Sequence, residues 1–183
     1  MTEIELPGTL LHIGDDAFYD CTQLTTITLP SSLTKLGHRA FYNCTKLASI
    51  NIPDSVEALG DDVFKACYSL QTVSLGANLT AIGDGCFSHC VKLTNIVIPD
   101  RVTHLGEHIF EYCSNLTNIE FHDNVKQLGT YLFWGCTSLN NVKLPAAVTA
   151  LPGGCFIDCT SLENIELPQS LLTIDRSAFR NTS

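Results

Sequence analysis

A period of 23 residues runs through the chain without a gap. Cysteine recurs at Cys21, Cys44, Cys67, Cys90, Cys113, Cys136 and Cys159, and phenylalanine at Phe18, Phe41, Phe64, Phe87, Phe110, Phe133, Phe156 and Phe179. A leucine column follows three residues after each cysteine, from Leu24 to Leu162. Self-similarity at a fixed period of this size is the signature of a stacked repeat protein, in which each unit buries its apolar side only against its neighbours.

Within a unit the spacing L-x-x-I-x-L, as in Leu24, Ile27 and Leu29, puts Ile27 and Leu29 on one side of an extended strand and turns Thr26 and Thr28 outward. Proline after the last strand residue, as at Pro30, Pro53 and Pro99, removes a backbone donor and ends the strand. Two further aliphatic columns, such as Leu33 and Leu36, suit a second short extended or irregular segment on the opposite side of the coil. The glycine that follows, from Gly14 to Gly129, is expected to turn the chain with φ above zero. After it, Ala40, Phe41 and Cys44 lie at three- and four-residue spacing, which predicts one helical turn per unit, with Asp15, Asp61 and Asp84 capping it. The expectation is an α/β repeat of about eight coils, with a parallel sheet on one face and short helical turns on another. Phenylalanine is its main filler.

The unit L-x-x-I-x-I-P-x-x-V-x-x-I-G-x-x-A-F-x-x-C resembles the BspA-like leucine-rich repeat over residues 4 to 182. The departures are few: Gly76 and His122 stand for proline, Pro152 and Asp175 for glycine, and Thr182 for the last cysteine. The resemblance implies a leucine-rich repeat solenoid. It also implies a cell-surface or secreted setting and, for several members, adhesin-like binding of host or matrix proteins.

Residues 1–183 read as a single repeat domain, since no linker or low-complexity stretch breaks the period. Nothing ahead of the first strand residues Ile4 and Leu6 resembles a signal peptide, and neither end carries an obvious polar cap. A segment of a longer protein or an engineered array fits both observations, and the matching columns at the two ends allow copies to stack end to end.

A net charge of −9, with ten scattered lysines and arginines against nineteen acidic residues, argues against a nucleic-acid partner. No apolar run approaches the length that spans a bilayer, which argues against membrane insertion. Stacked cysteines about 5 Å apart with parallel Cα–Cβ vectors do not converge as a disulfide requires, so they read as buried free thiols. Cys86 and Cys155 take the column that holds alanine at Ala17, Ala40 and Ala178 and add thiols where a small residue packs. His104 precedes the glycine turn and cannot share a face with His108, and His89 alone neighbours a cysteine pair, so no metal site and no cofactor is assigned. The carboxylate pairs Asp15–Asp16 and Asp61–Asp62 fall at the cap column with no cleft, and no motif places a nucleophile. The chain reads as a non-enzyme.

What varies freely is the outward strand face, and a ligand would have to be recognised there. Its C-terminal half is rich in amides and charge: Asn95, Asn118, Glu120, Asn141, Lys143, Asn164 and Glu166. These are the candidate binding residues for a protein or glycan ligand. The competing readings are that stacked Asn and Thr bond along the ladder and only keep the sheet soluble, or that the array is a spacer or designed scaffold without a natural ligand.

Overall fold

A computed structural model describes residues 2–183, and Met1 lies outside the described residues. The strand predicted from L-x-x-I-x-L forms in every unit. It appears as β1 (Glu3–Ile4), β3 (Thr26–Ile27), β5 (Ser49–Asn51), β7 (Thr72–Ser74), β9 (Asn95–Val97), β11 (Asn118–Glu120), β12 (Asn141–Lys143) and β14 (Asn164–Glu166). Seven full turns of a solenoid separate the first of these eight strands from the last. Neighbours pair in parallel with a register of 23 residues, as in Asn118↔Asn95 and Lys143↔Glu166. Hydrogen bonding is densest within the pairs β1–β3, β5–β7, β9–β11 and β12–β14. Between pairs it thins to bonds such as Ala48 N–H to the Thr25 carbonyl at 3.3 Å.

The second segment is also a strand: β2 (His12–Ile13), β4 (Lys35–Leu36), β6 (Ala58–Leu59), β8 (Ala81–Ile82), β10 (His104–Leu105), β13 (Ala150–Leu151) and β15 (Thr173–Ile174). Five of these, β2 to β10, make one continuous parallel sheet, and β13 pairs with β15. In β2 to β10 one aliphatic side chain points inward while its neighbour faces out, as the period of two requires; in β15 both are exposed.

The predicted helical turn does not form; there is no helix among the described residues. Two residues of every coil adopt a left-handed conformation instead, four apart. One column runs Asp16, Arg39, Asp62, Gly85, His108, Tyr131, Gly154 and Ser177, the other Asp20, Asn43, Ala66, His89, Tyr112, Gly135, Asp158 and Asn181. Each left-handed residue stops a helix, and the amides then alternate in purpose. Tyr19 and Cys21 donate within their own coil to Asp16 and Phe18, whereas Asp16, Phe18 and Asp20 donate to the carbonyls of His38, Ala40 and Tyr42 in the next. A helical turn would consume those amides internally. Alternation spends half of them on the neighbouring coil, so this third side is a hydrogen-bonded ladder too.

Two other expectations are corrected by the same geometry. The glycine column is not left-handed: Gly14, Gly37, Gly60, Gly83, Gly106 and Gly129 all lack positive φ. Glycine is needed there because coils approach closely; a Cβ on Gly83 would lie 2.6 Å from the Gly60 carbonyl oxygen. Nor do the aspartates cap their own coil. Oδ1 of Asp15, Asp61 and Asp84 accepts the amide of His38, Asp84 and Glu107 respectively, each in the following coil, at 2.8–3.0 Å.

The apolar columns fill the space between the three sides. Phe41, Phe64, Phe87, Phe110, Phe133 and Phe156 are fully buried, and from Phe18 to Phe179 successive rings stack 5.0–5.9 Å apart with planes within 15° of parallel. This offset stacking adds to the area term. All nine cysteines are free. The buried thiols are more than fillers, because Sγ of Cys44, Cys67, Cys90, Cys113, Cys136 and Cys159 donates to the phenylalanine carbonyl of the preceding coil at 3.1–3.2 Å.

Candidate binding face

The strands place every candidate residue as the alternation requires. Asn95, Asn118, Glu120, Asn141, Lys143, Asn164 and Glu166 are all exposed, with Ile96, Ile119 and Val142 buried between them. The 23-residue register stacks Asn95 beside Asn118 and Asn141 beside Asn164, so the four amides form one column. Beside it Val97 pairs with Glu120, and Lys143 with Glu166.

Polar side chains elsewhere on the solenoid are spent on holding coils together. Thr25, Thr80 and Thr117 donate to the carbonyl 23 residues earlier, Asn78 and Asn124 donate to a carbonyl of the previous coil, and Asn43 and Asn181 donate to Asp20 and Asp158. The strand-face amides behave differently. Among the described residues Asn118, Asn141 and Asn164 make no side-chain hydrogen bond, and Asn95 reaches only Thr94 at 3.5 Å. Lys143 likewise forms no ion pair with Glu120 or Glu166. The stacked asparagines are therefore not the ladder glue that their column suggested, and their donors and acceptors face solvent.

The face is shallow. A depression of about 290 Å³ lies at its end between Lys143, Leu144, Ala146, Glu166, Leu167 and Pro168, and another of about 450 Å³ lies around Val73, Leu75, Asn95, Val97 and Pro99. Val97 and Leu167 contribute exposed apolar surface beside the polar columns. Such concavities suit a contacting surface better than an enclosed small molecule.

The tempting constellations separate in space. His104 lies in the second sheet, while His108 lies on the turn side, stacked on Tyr131 at 4.9 Å. Aromatic residues are scarce on the strand face. Reading by strand columns missed that Tyr112, Tyr131 and Trp134 gather on the turn side instead. The available signal was three large rings at columns that hold small or polar residues in most other units.

No curated protein matches the chain. Solved structures do. A leucine-rich repeat protein from Bacteroides ovatus is 35% identical and superposes with a TM-score of 0.94, over 98% of this chain and 49% of that one. The chain thus spans about half the length of that relative. A leucine-rich repeat protein of T. pallidum is 30% identical over 81% of this chain and 72% of its own, with a TM-score of 0.78. The pneumococcal vaccine antigen PcpA shares the fold at 21% identity and a TM-score of 0.67, over 98% of this chain and 54% of that one. The BspA type leucine-rich repeat region, in six copies, matches residues 1–115 and 80–183. The chain belongs to the BspA-type leucine-rich repeat family.

Proposed function

We propose that the chain is a non-catalytic binding scaffold that takes a protein ligand, or the glycan it carries, on the C-terminal half of its strand face, in the manner of a surface adhesin. One observation carries the reading: the amides of Asn118, Asn141 and Asn164 are stacked, exposed and free of internal partners, where comparable side chains elsewhere bridge coils. A column of unspent donors and acceptors at fixed spacing is what an extended polar ligand can pair with, and Glu120, Lys143 and Glu166 beside it supply charge of both signs.

The test is a capture assay of the purified protein against extracellular-matrix proteins, plasma proteins and a glycan array. The variant Asn118→Ala, Asn141→Ala, Lys143→Ala is expected to weaken capture by about tenfold or more. Its melting temperature should stay within a degree or two, because none of the three side chains holds the coils. Retained capture by the variant removes this face from consideration, and silence of the parent protein across the panel favours a structural spacer.

A further inference from the structure

We propose that the turn side of the coils between Gly83 and Cys159 is a second docking surface, built to receive an arginine- or lysine-bearing segment of a partner protein on aromatic rings around Glu111. It is independent of the strand face, which lies on another side of the solenoid.

Five rings make a continuous arc. His89 stacks on Tyr112 at 4.9 Å, Tyr112 meets Trp134 at 5.2 Å, Trp134 meets Tyr131 at 5.6 Å, and Tyr131 stacks on His108 at 4.9 Å. Glu111 occupies the same column as Trp134, one coil earlier, between His108 and Tyr112, so the arc runs around its carboxylate. That carboxylate is only 15% exposed; it accepts from the Ser88 hydroxyl at 3.2 Å and lies 3.4 Å from Nδ1 of His108.

Charge distinguishes this stretch from the rest of the same side. In earlier coils two turn carboxylates have a lysine or arginine of the chain beside them, Arg39 on Asp16 at 2.9 Å and Lys65 on Asp62 at 3.0 Å, whereas Glu111 has only His108. The four turn segments 83–90, 106–113, 129–136 and 152–159 contain no lysine or arginine but four carboxylates, Asp84, Glu107, Glu111 and Asp158. A cation brought by a partner would meet the exposed Glu107, the largely desolvated Glu111 and, within cation–π reach, the Trp134 ring, which tilts 43° and 47° from the tyrosines while their own faces are covered by histidine and glycine. Tyr and Trp are also the residues on which interface energy concentrates.

Two of the rings are placed against local preference. Tyr112 and Tyr131 have φ of 55°, where asparagine, aspartate, histidine or glycine is the usual choice, and other coils do use Asp16, Asp20, Asn43 and Asn181 there. Tyr112 and Tyr131 lie over Gly135 and Gly154, whose missing side chains leave room for the rings. The fold needs no aromatic residue at these columns, which other coils fill with Asp, Asn, Arg, Ala, Gly or Ser, and the stacking the tyrosines gain is set against their backbone cost.

Trp134 is the only tryptophan, so its fluorescence reads this surface directly. The probes are an alternating arginine–glycine hexapeptide, a matched glutamate–glycine hexapeptide and a neutral xylo-oligosaccharide. A saturable change with the arginine peptide alone, weakening as salt is raised, is expected. Tyr131→Ala and Glu107→Lys should each weaken it about fivefold or more, the size of one lost cation contact. Glu107 is exposed and makes no side-chain hydrogen bond among the described residues, so its variant remains informative if the tyrosine variant fails to fold. Asn118→Ala with Asn141→Ala should leave the titration unchanged. No saturable response, an equal response to the glutamate peptide, a response to the oligosaccharide alone, or unchanged affinity in Glu107→Lys would each overturn the proposal.

Discussion

A buried thiol in this protein has a task that its apolar surroundings conceal. Cys90 is fully buried, and its Sγ reaches back to the Phe64 carbonyl at 3.2 Å, adding a coil-to-coil bond inside the core. Burial pushes the thiols of Cys44 and Cys159 up to about 12 from an ordinary 9.0, and those of Cys67, Cys90 and Cys136 well above it. The folded state therefore keeps protons that the unfolded chain sheds above pH 9, so the unfolded state binds fewer protons and stability must fall as pH rises. Denaturant midpoints measured from pH 8 to 12 should hold near pH 8 and drop steadily from pH 9 upward. A variant with Cys90→Ala and Cys136→Ala should show a shallower decline, whereas an equal slope would assign the loss to other groups. The cysteine column and its burial were legible from spacing and size. The thiol's acceptor was not, because it belongs to the preceding coil and only the stacking register brings it within reach.

Each coil's third side is decided at the level of an element. Ala40, Phe41 and Cys44 do point inward as their spacing suggests, but alternating turns rather than a helix present them. Local propensity favours a helical turn; it loses to a ladder in which every second amide serves the adjacent coil. The glycine column follows from that closeness in the inner coils, where a side chain would enter the coil before it, while Pro152 and Asp175 take the column in the last two. Gly83→Ala is expected to destabilise by about 1–3 kcal/mol, the usual cost of overpacking. Gly14→Ala should be nearly neutral, because nothing lies within 4 Å of a Cβ placed there. Chemical denaturation of both variants checks this, and equal effects would contradict close approach as the reason for glycine.

Along the whole molecule, identical columns experience different surroundings according to their place in the stack. Phe87 is sandwiched between Phe64 at 5.6 Å and Phe110 at 5.9 Å, while Phe179 is only partly buried and has Phe156 on one side. Phe87→Ala should cost about 3–5 kcal/mol. Phe179→Ala should cost about 1–2 kcal/mol, because less area leaves the core. Calorimetric melts of the two give the ratio, and equal losses would mean that the stack does not melt through nearest-neighbour contacts. The terminal coil also exposes Ile174, whose column is covered in the inner coils from Ile13 to Leu151.

A strict period with apolar residues at fixed columns determines a stacked solenoid, its strand faces, its register and its core, because each unit can satisfy its hydrophobic side only by repeating against the next. All seven strand-face candidates were accordingly legible by alternation alone. Whether a polar side chain is spent or free, and whether rings from different coils meet, depends on atoms 22 to 26 residues apart in the chain. That decided the free amides of Asn118, Asn141 and Asn164, the replacement of helix by left-handed turns, and the arc of rings around Glu111. Contacts of this kind exist only once the coils are stacked, and the tertiary structure alone supplied them.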